Sequence, residues 1–455
     1  MARIQFCGGV GTVTGANFLL DTGVSKILVD CGILQREHPH GSVCDTANFT
    51  PFPYDPKTID VLIVTHAHAD HIGRIPRLVR EGFRGIIYST PATRDLSALM
   101  FEDALRVMGQ DTERNGCEML FEKPDVENTL PLWRTHKYHD SFSVGDAAVE
   151  FLDAGHILGS AMIRMTRSGK NVIFTGDLGN SPEPILNDTE SPEGADYMVM
   201  ESVYGDRLHE GRAERRERLR EAIESVRKQK GTLLIPSFSI ERTQILLYEM
   251  NTMIEEGVMK PIPVYLDAPL ATEVTDVFRV HKELLNAAAQ AHFTNNSDPF
   301  SFKNLEITSS IDESRAIHAA PSPKIVIAGA GMSGGGRIRS HEKYYLGDKH
   351  ATVLFVGYQA PGSLGRRIQD GDTRVEIDGE HIRIRAEIKT LTGYSGHADR
   401  DQLLDFVERA HSTLDRVFVT MGEPQASIFF AQRVRDFLDI DAIVPQAGES
   451  IEIDW

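Results

Sequence analysis

The six residues His66-Ala67-His68-Ala69-Asp70-His71 hold three imidazoles and a carboxylate, directly after the apolar run Val61-Leu62-Ile63-Val64. That run reads as a buried strand, so the cluster stands where a strand gives way to a loop. Alternate residues of an extended chain point the same way, which lets His66 and His68 approach one ion together. Asp70 and His71 follow at the next turn and can face a second position. Imidazole nitrogen and carboxylate oxygen are the ligands that zinc and similar borderline ions prefer.

Other short apolar runs end in the same manner. Ile27-Leu28-Val29 delivers Asp30, and Val172-Ile173-Phe174 delivers Asp177 into a glycine-flanked loop. His156 lies in Ala154-Gly155-His156-Ile157-Leu158-Gly159-Ser160, among small residues that leave room for an ion. Singly, each reads as an ordinary turn residue. Their shared placement at strand ends, beside the histidine cluster, argues for one site.

The 455 residues suffice for two or three domains, and 41% apolar content describes a soluble globular chain. No apolar run approaches the roughly 20 residues that span a membrane. Met1-Ala2-Arg3-Ile4-Gln5-Phe6 reads as the start of a strand, not a signal peptide. Cys7, Cys31, Cys44 and Cys117 form no CxxC pair and read as thiols in a reducing compartment, so the cytoplasm is expected. A net charge of −18 argues against indiscriminate coating of nucleic acid, though not against a metal-lined cleft with local arginines.

The texture changes after Tyr204-Gly205-Asp206-Arg207. Residues 211–230 are densely charged, with Leu219, Ala222, Ile223 and Val226 at helical spacing, which predicts an amphipathic surface helix. Strands and helices then alternate: strands at 233–236, 264–266, 325–327 and 353–356, helices at 240–256 and from about 271. This rhythm implies a parallel sheet with crossover helices. A hairpin is expected around Asp378-Gly379, with β-α-β material from Asp399 onward. Two loops after strands are rich in glycine and arginine, Gly329 to Arg337 and Gly357 to Arg367. Neither is a Walker loop. Together they read as a phosphate wall through Gly334, Gly335, Arg337 and Arg366.

Over nearly its full length the chain resembles the metallo-β-lactamase superfamily, and within it the β-CASP nucleases. Asp30 matches the first motif. His66, His68, Asp70 and His71 match the His-x-His-x-Asp-His motif, and His156 and Asp177 match the third and fourth. Of the three β-CASP motifs, Glu201 in Met200-Glu201-Ser202 resembles the acidic one and His397 in Ser395-Gly396-His397-Ala398-Asp399 resembles the next. At the last, relatives that cleave RNA carry histidine in Val-His-Gly-Glu, where this chain has Val419-Thr420-Met421-Gly422-Glu423. A thioether suits softer ions than zinc.

The resemblance implies an αββα sandwich, residues 1–207 and 390–455, with an inserted α/β cap at 208–389. It implies one or two zinc ions, the second weakened by Met421. His66, His68 and His156 would hold one ion, Asp70 and His71 the other, and Asp177 would bridge. Asp30 would orient a ligand histidine. Two such ions clamp the attacking and leaving oxygens of a phosphodiester and ready a water near neutral pH. Asp70, His397 and Glu201 form the catalytic set, with His397 the acid for the leaving oxygen. The expected activity is zinc-dependent hydrolysis of RNA, single-stranded above all, in the cleft between the two domains. DNA as substrate and a homo-oligomer are both allowed, and no membrane is implied. The rival readings are a small-molecule hydrolase of thioesters or lactones, and an impaired nucleic-acid-binding homologue signalled by Met421.

Overall fold

The computed structural model describes residues 1–35, 46–209, 214–294, 297–359 and 362–455. Both ends of the chain contribute to its first two sheets. Ala2–Gly8 pairs antiparallel with Asn17–Asp21 on one side and with Ser450–Ile453 on the other. The sheet continues through Lys26–Val29, Val61–Ile63, Ile86–Ser89 and Trp133–Thr135. From Lys26–Val29 onward every pairing is parallel. Parallel strands end at a common edge, so Asp30 and the histidine loop emerge side by side.

The second sheet runs in the order Asp441–Ile443, Arg416–Val419, Tyr197–Met200, Lys170–Phe174, Ala161–Arg167, Ala147–Asp153 and Phe142–Val144. Lys170–Phe174, Tyr197–Met200 and Arg416–Val419 are mutually parallel. Ala147–Asp153 points the same way, being two antiparallel pairings removed. The loops bearing His156, Asp177, Glu201 and Met421 therefore leave one edge of this sheet.

The inner faces of the two sheets share one core. Phe6, Phe18, Leu20 and Val29 meet Val149, Phe151, Phe174 and Phe418 there. Ring centroids of Phe6 and Phe418 lie 5.4 Å apart, and those of Phe18 and Phe174 6.2 Å. Each such side chain contributes about 1.5–3 kcal/mol of burial. On the outer face of the second sheet, Met162, Ile173 and Met198 are covered by Leu403 and Phe406 of Arg400–Glu408 and by Phe430 and Val434 of Pro424–Leu438. This is the sandwich with helical covers that the resemblance implies.

Among the described residues, the chain divides into two compact units. One holds the residues up to Leu208 together with His397–Trp455, and the other is His209–Gly396. The second unit has a six-stranded, all-parallel sheet ordered Leu305–Ile307, Val264–Asp267, Lys324–Ala328, Thr232–Pro236, Ala351–Phe355 and Glu387–Thr390. Near-continuous Val, Ile and Leu in its central strands fit burial on both faces. Arg374–Ile377 and Glu380–Arg383 form the hairpin, and its turn has positive φ at both Asp378 and Gly379. The charged helix is Arg215–Gln229, burying Leu219, Ala222, Ile223 and Val226 as its spacing predicts. Residues 211–213, with which that stretch was expected to begin, lie outside the described residues, as do Cys44, Ala360 and Pro361.

Cys7 and Cys31 are free thiols, whereas Cys117 is disulfide-bonded, against the expectation of thiols throughout. Among the described residues, no helix is long and apolar enough to cross a membrane.

Candidate metal centre

His66, His68, His156 and Asp177 offer ligand atoms that all lie within 4.8 Å of one another. His66 Nε2 stands 3.1 Å from His68 Nδ1, which is 3.2 Å from His156 Nε2. Asp177 faces this group with one oxygen and a different histidine with the other. Its Oδ2 is 3.5 Å from His66 Nε2 and 3.6 Å from His156 Nε2, and its Oδ1 is 3.3 Å from His71 Nε2. Asp70 Oδ2 lies 3.9 Å from the same His71 nitrogen. The six residues read from the sequence thus meet at one edge, with Asp177 between two sets.

Local structure explains the placement. His68 ends the extended segment, and its carbonyl accepts the N–H of His71 and of Ile72, starting the short helix Ala69–Ile72 that carries Asp70 and His71. That helix lies so close to the loop after Asp30 that a Cβ on Gly32 would fall 1.5 Å from the Asp70 carbonyl oxygen. Only glycine fits there. Asp30 has a positive φ of 57° and is buried. Its Oδ1 accepts the Thr65 N–H, and its Oδ2 accepts the Thr65 hydroxyl and faces His71 Nδ1 at 2.7 Å. Nε2 of His71 is left for the site. Ser160 Oγ accepts the His156 N–H and so holds that loop.

Glu201 and His397, 196 residues apart in sequence, are joined: Glu201 Oε1 is 3.2 Å from His397 Nδ1 and also accepts the Leu178 N–H. Gly179 and His397 form a backbone bridge, and the two rings of His397 and His156 lie 4.6 Å apart. Asp177 Oδ2 is 3.9 Å from His397 Nδ1, so Asp177, Glu201 and His397 make a second close group.

In the protein alone, burial and the neighbouring His71 hold His66 well below the usual imidazole range, so it is neutral and presents a lone pair. Burial opposes the His71 cation, yet Asp177 and Asp30 raise it well above that range. Burial pushes Asp70 up to about 6. Burial likewise disfavours a charged His397, but Glu201, Asp177 and Asp70 lift it to about 9. His71 Nε2 and Asp177 Oδ1 are buried with no hydrogen-bond partner. Buried polar atoms are rarely left so, and two facing donors of metal-ligand type fit a cation between them. The donor set, nitrogen and carboxylate without thiolate, suits zinc.

Other expected residues stand elsewhere. Met421, with φ of 46°, donates its N–H to Gly9 O and buries its side chain in the apolar core, its Sδ against Gly9. The charge expected of the phosphate wall is engaged otherwise. Arg337 pairs with the buried carboxylate of Asp267 and with the Ser309 carbonyl, and Arg366 pairs with Asp370 one turn along its own helix, 2.8 Å away. Gly334 and Gly335 are open, with no atom within 4 Å of an added Cβ. Thr65 was not singled out from the sequence. Its hydroxyl lies 2.8 Å from Asp30 Oδ2 and 3.1 Å from His66 Nδ1. The signal was its position directly before the first histidine.

Models of three families match the chain: the metallo-beta-lactamase superfamily over residues 10–237, the Beta-Casp domain over 243–368, and the Zn-dependent metallo-hydrolase RNA specificity domain over 381–445. Ribonuclease TTHA0252 of Thermus thermophilus is 38% identical, the match covering 93% of this chain and 94% of that one. Transcription termination factor FttA of Methanosarcina mazei is 31% identical, covering 96% of this chain and 70% of that one. A crystal structure of a protein of unknown function from Enterococcus faecalis V583 superposes with a TM-score of 0.56 over 99% of each chain, at 12% identity, a likeness of fold alone.

Proposed function

The chain belongs to the metallo-β-lactamase superfamily, in its β-CASP branch, and on that premise we propose that it is a zinc-dependent ribonuclease hydrolysing phosphodiester bonds of single-stranded RNA. The observation that carries this reading is the convergence of three histidines on Asp177, together with the buried His71 Nε2 and Asp177 Oδ1, which face each other at 3.3 Å without a well-formed hydrogen bond. The RNA-specificity domain match and the ribonuclease and termination-factor relatives support RNA as the polymer.

In this reading the β-CASP cap, expected at residues 208–389, corresponds to the unit His209–Gly396. His66, His68 and His156 would hold one zinc, Asp70 and His71 would hold a second, and Asp177, which faces both sets, would serve both. When bound, the ions supply an activated water and neutralise charge on the phosphate. Asp30 positions His71 by gripping Nδ1, and Thr65 steadies Asp30. Glu201 fixes the His397 ring through Nδ1, which leaves Nε2 to hold the proton for the leaving oxygen. Met421 offers no imidazole, so the second position is the weaker of the two.

Cleavage of end-labelled RNA and DNA, with zinc content measured on the same sample, tests the proposal. Zinc-dependent cutting of RNA is expected. A zinc-loaded protein that leaves RNA intact while hydrolysing a thioester or lactone overturns it.

A further inference from the structure

Phe238 is a large apolar side chain exposed where the second unit's parallel strands end. It follows Thr232–Pro236 by two residues and keeps 36% of its surface exposed. Its ring lies against two neighbouring loops. A Cβ on Gly331, after Lys324–Ala328, would stand 2.5 Å from the ring, and one on Gly357, after Ala351–Phe355, would stand 3.4 Å from it. The glycines at those two positions give the aromatic ring its seat. Beyond Gly331 the same loop carries Gly334 and Gly335, whose backbone is open to an approaching group.

The topology gives this spot a second distinction. The connection leaving Thr232–Pro236 runs through Arg242–Glu255 to Val264–Asp267 on one side of the sheet order. The one leaving Ala351–Phe355 runs to Glu387–Thr390 on the other. Adjacent strands whose connections part in opposite directions open a crevice at their carboxyl ends, where ligands of open α/β sheets bind. Phe238 stands at that crevice. Arg337 and Arg366, on the loops at that end, are paired with Asp267 and Asp370, and Phe238 gives the crevice an aromatic face.

We infer that Phe238, seated on Gly331 and Gly357, is a stacking platform for one base of a single-stranded RNA substrate. This rests on the ribonuclease reading above. Stacking on an aromatic ring tolerates any base, and its removal weakens binding roughly 5- to 100-fold.

The test compares Phe238→Leu, which keeps apolar bulk on the two glycines, with Phe238→Tyr, which keeps the ring. The full-length zinc-loaded proteins are titrated with a cleavage-resistant phosphorothioate RNA carrying 2-aminopurine, whose fluorescence is quenched by stacking. Phe238→Leu is expected to weaken binding and abolish the aromatic quenching, to raise KM for cleavable RNA with kcat nearly unchanged, and to melt at the wild-type temperature. Phe238→Tyr should restore both binding and quenching. Equal binding and quenching by Phe238→Leu and wild type, with RNA cleavage intact, overturns the platform alone. A wild type that neither binds nor cuts RNA overturns the ribonuclease reading and the platform with it.

Discussion

Two buried clusters in this chain draw on nearly the same side chains and come to opposite ends. In the second unit, each oxygen of Asp267 meets two donors: Thr308 and Arg337 at one, Ser314 and His341 at the other. His341 in turn faces His318, 3.1 Å away. Burial works against the charge, yet those four donors hold Asp267 well below the usual carboxylate range. At the candidate metal centre, Asp177 is likewise buried among histidines, but its Oδ1 and His71 Nε2 face each other at 3.3 Å without a well-formed hydrogen bond. A buried network whose valences close inside the protein is architecture, whereas one that stays open is a place for something else.

The largest effect should come from the open cluster. Asp177→Asn and His66→Ala are each expected to drop cleavage to background and to lose zinc, while urea midpoints of the metal-stripped proteins shift little. A variant that keeps its zinc breaks the comparison. His397→Ala should lower turnover by about 10²–10⁴-fold with zinc content intact. Because His397 lies in a second close group with Asp177 and Glu201, loss of an ion in that variant would make it a ligand.

The closed cluster should answer in stability. Asp267→Ala strands four donors and is expected to cost about 3–5 kcal/mol in urea unfolding, with zinc content unchanged. A depressed folded pKa means that this stability is present at neutral pH and lost as pH falls below the ordinary carboxylate value of about 4. The wild-type margin over Asp267→Ala should therefore shrink in acid.

Glu342 sharpens the contrast, being a buried carboxyl whose Oε2 has no hydrogen-bond partner. Protonation resolves it: burial pushes this group up to about 8, against a hydrogen bond from Ser333. The folded state then binds more protons than the unfolded one between about 4.3 and 8, so stability falls as pH rises through that window. Glu342→Gln mimics the protonated form and should stabilise by about 1–3 kcal/mol at pH 8 and by little at pH 5, read from thermal melts. The smallest change is expected from Met421→His, a modest gain of zinc at the second position on titrating the stripped protein. Unchanged uptake would show that residue 421 serves only the apolar core.

The strand-end aspartates and the histidine loop were legible because ligand type, spacing and apolar runs are local properties of the chain. Glu201 and His397 were legible only through resemblance, since their pairing spans 196 residues and neither stands in a cluster of its own. The partners of the arginines were hidden for the same reason. Arg337 reads as a free cation until the fold brings Asp267, 70 residues away, against it. Phe238 reads as one more apolar residue until the strand order sets Gly331 and Gly357 beneath it.

The first unit is interrupted, and its last strands come late in the chain. Ser450–Ile453 zips onto Ala2–Gly8, and Arg416–Val419 extends the sheet beside Tyr197–Met200. Every strand of the parallel sheet of residues 209–396 is synthesised before Arg416–Val419, Asp441–Ile443 or Ser450–Ile453. The histidine loop waits meanwhile, without its partner at 397 and without three strands of its own sandwich. In this order of synthesis the edge that carries the histidine loop is the last part of the molecule to be completed.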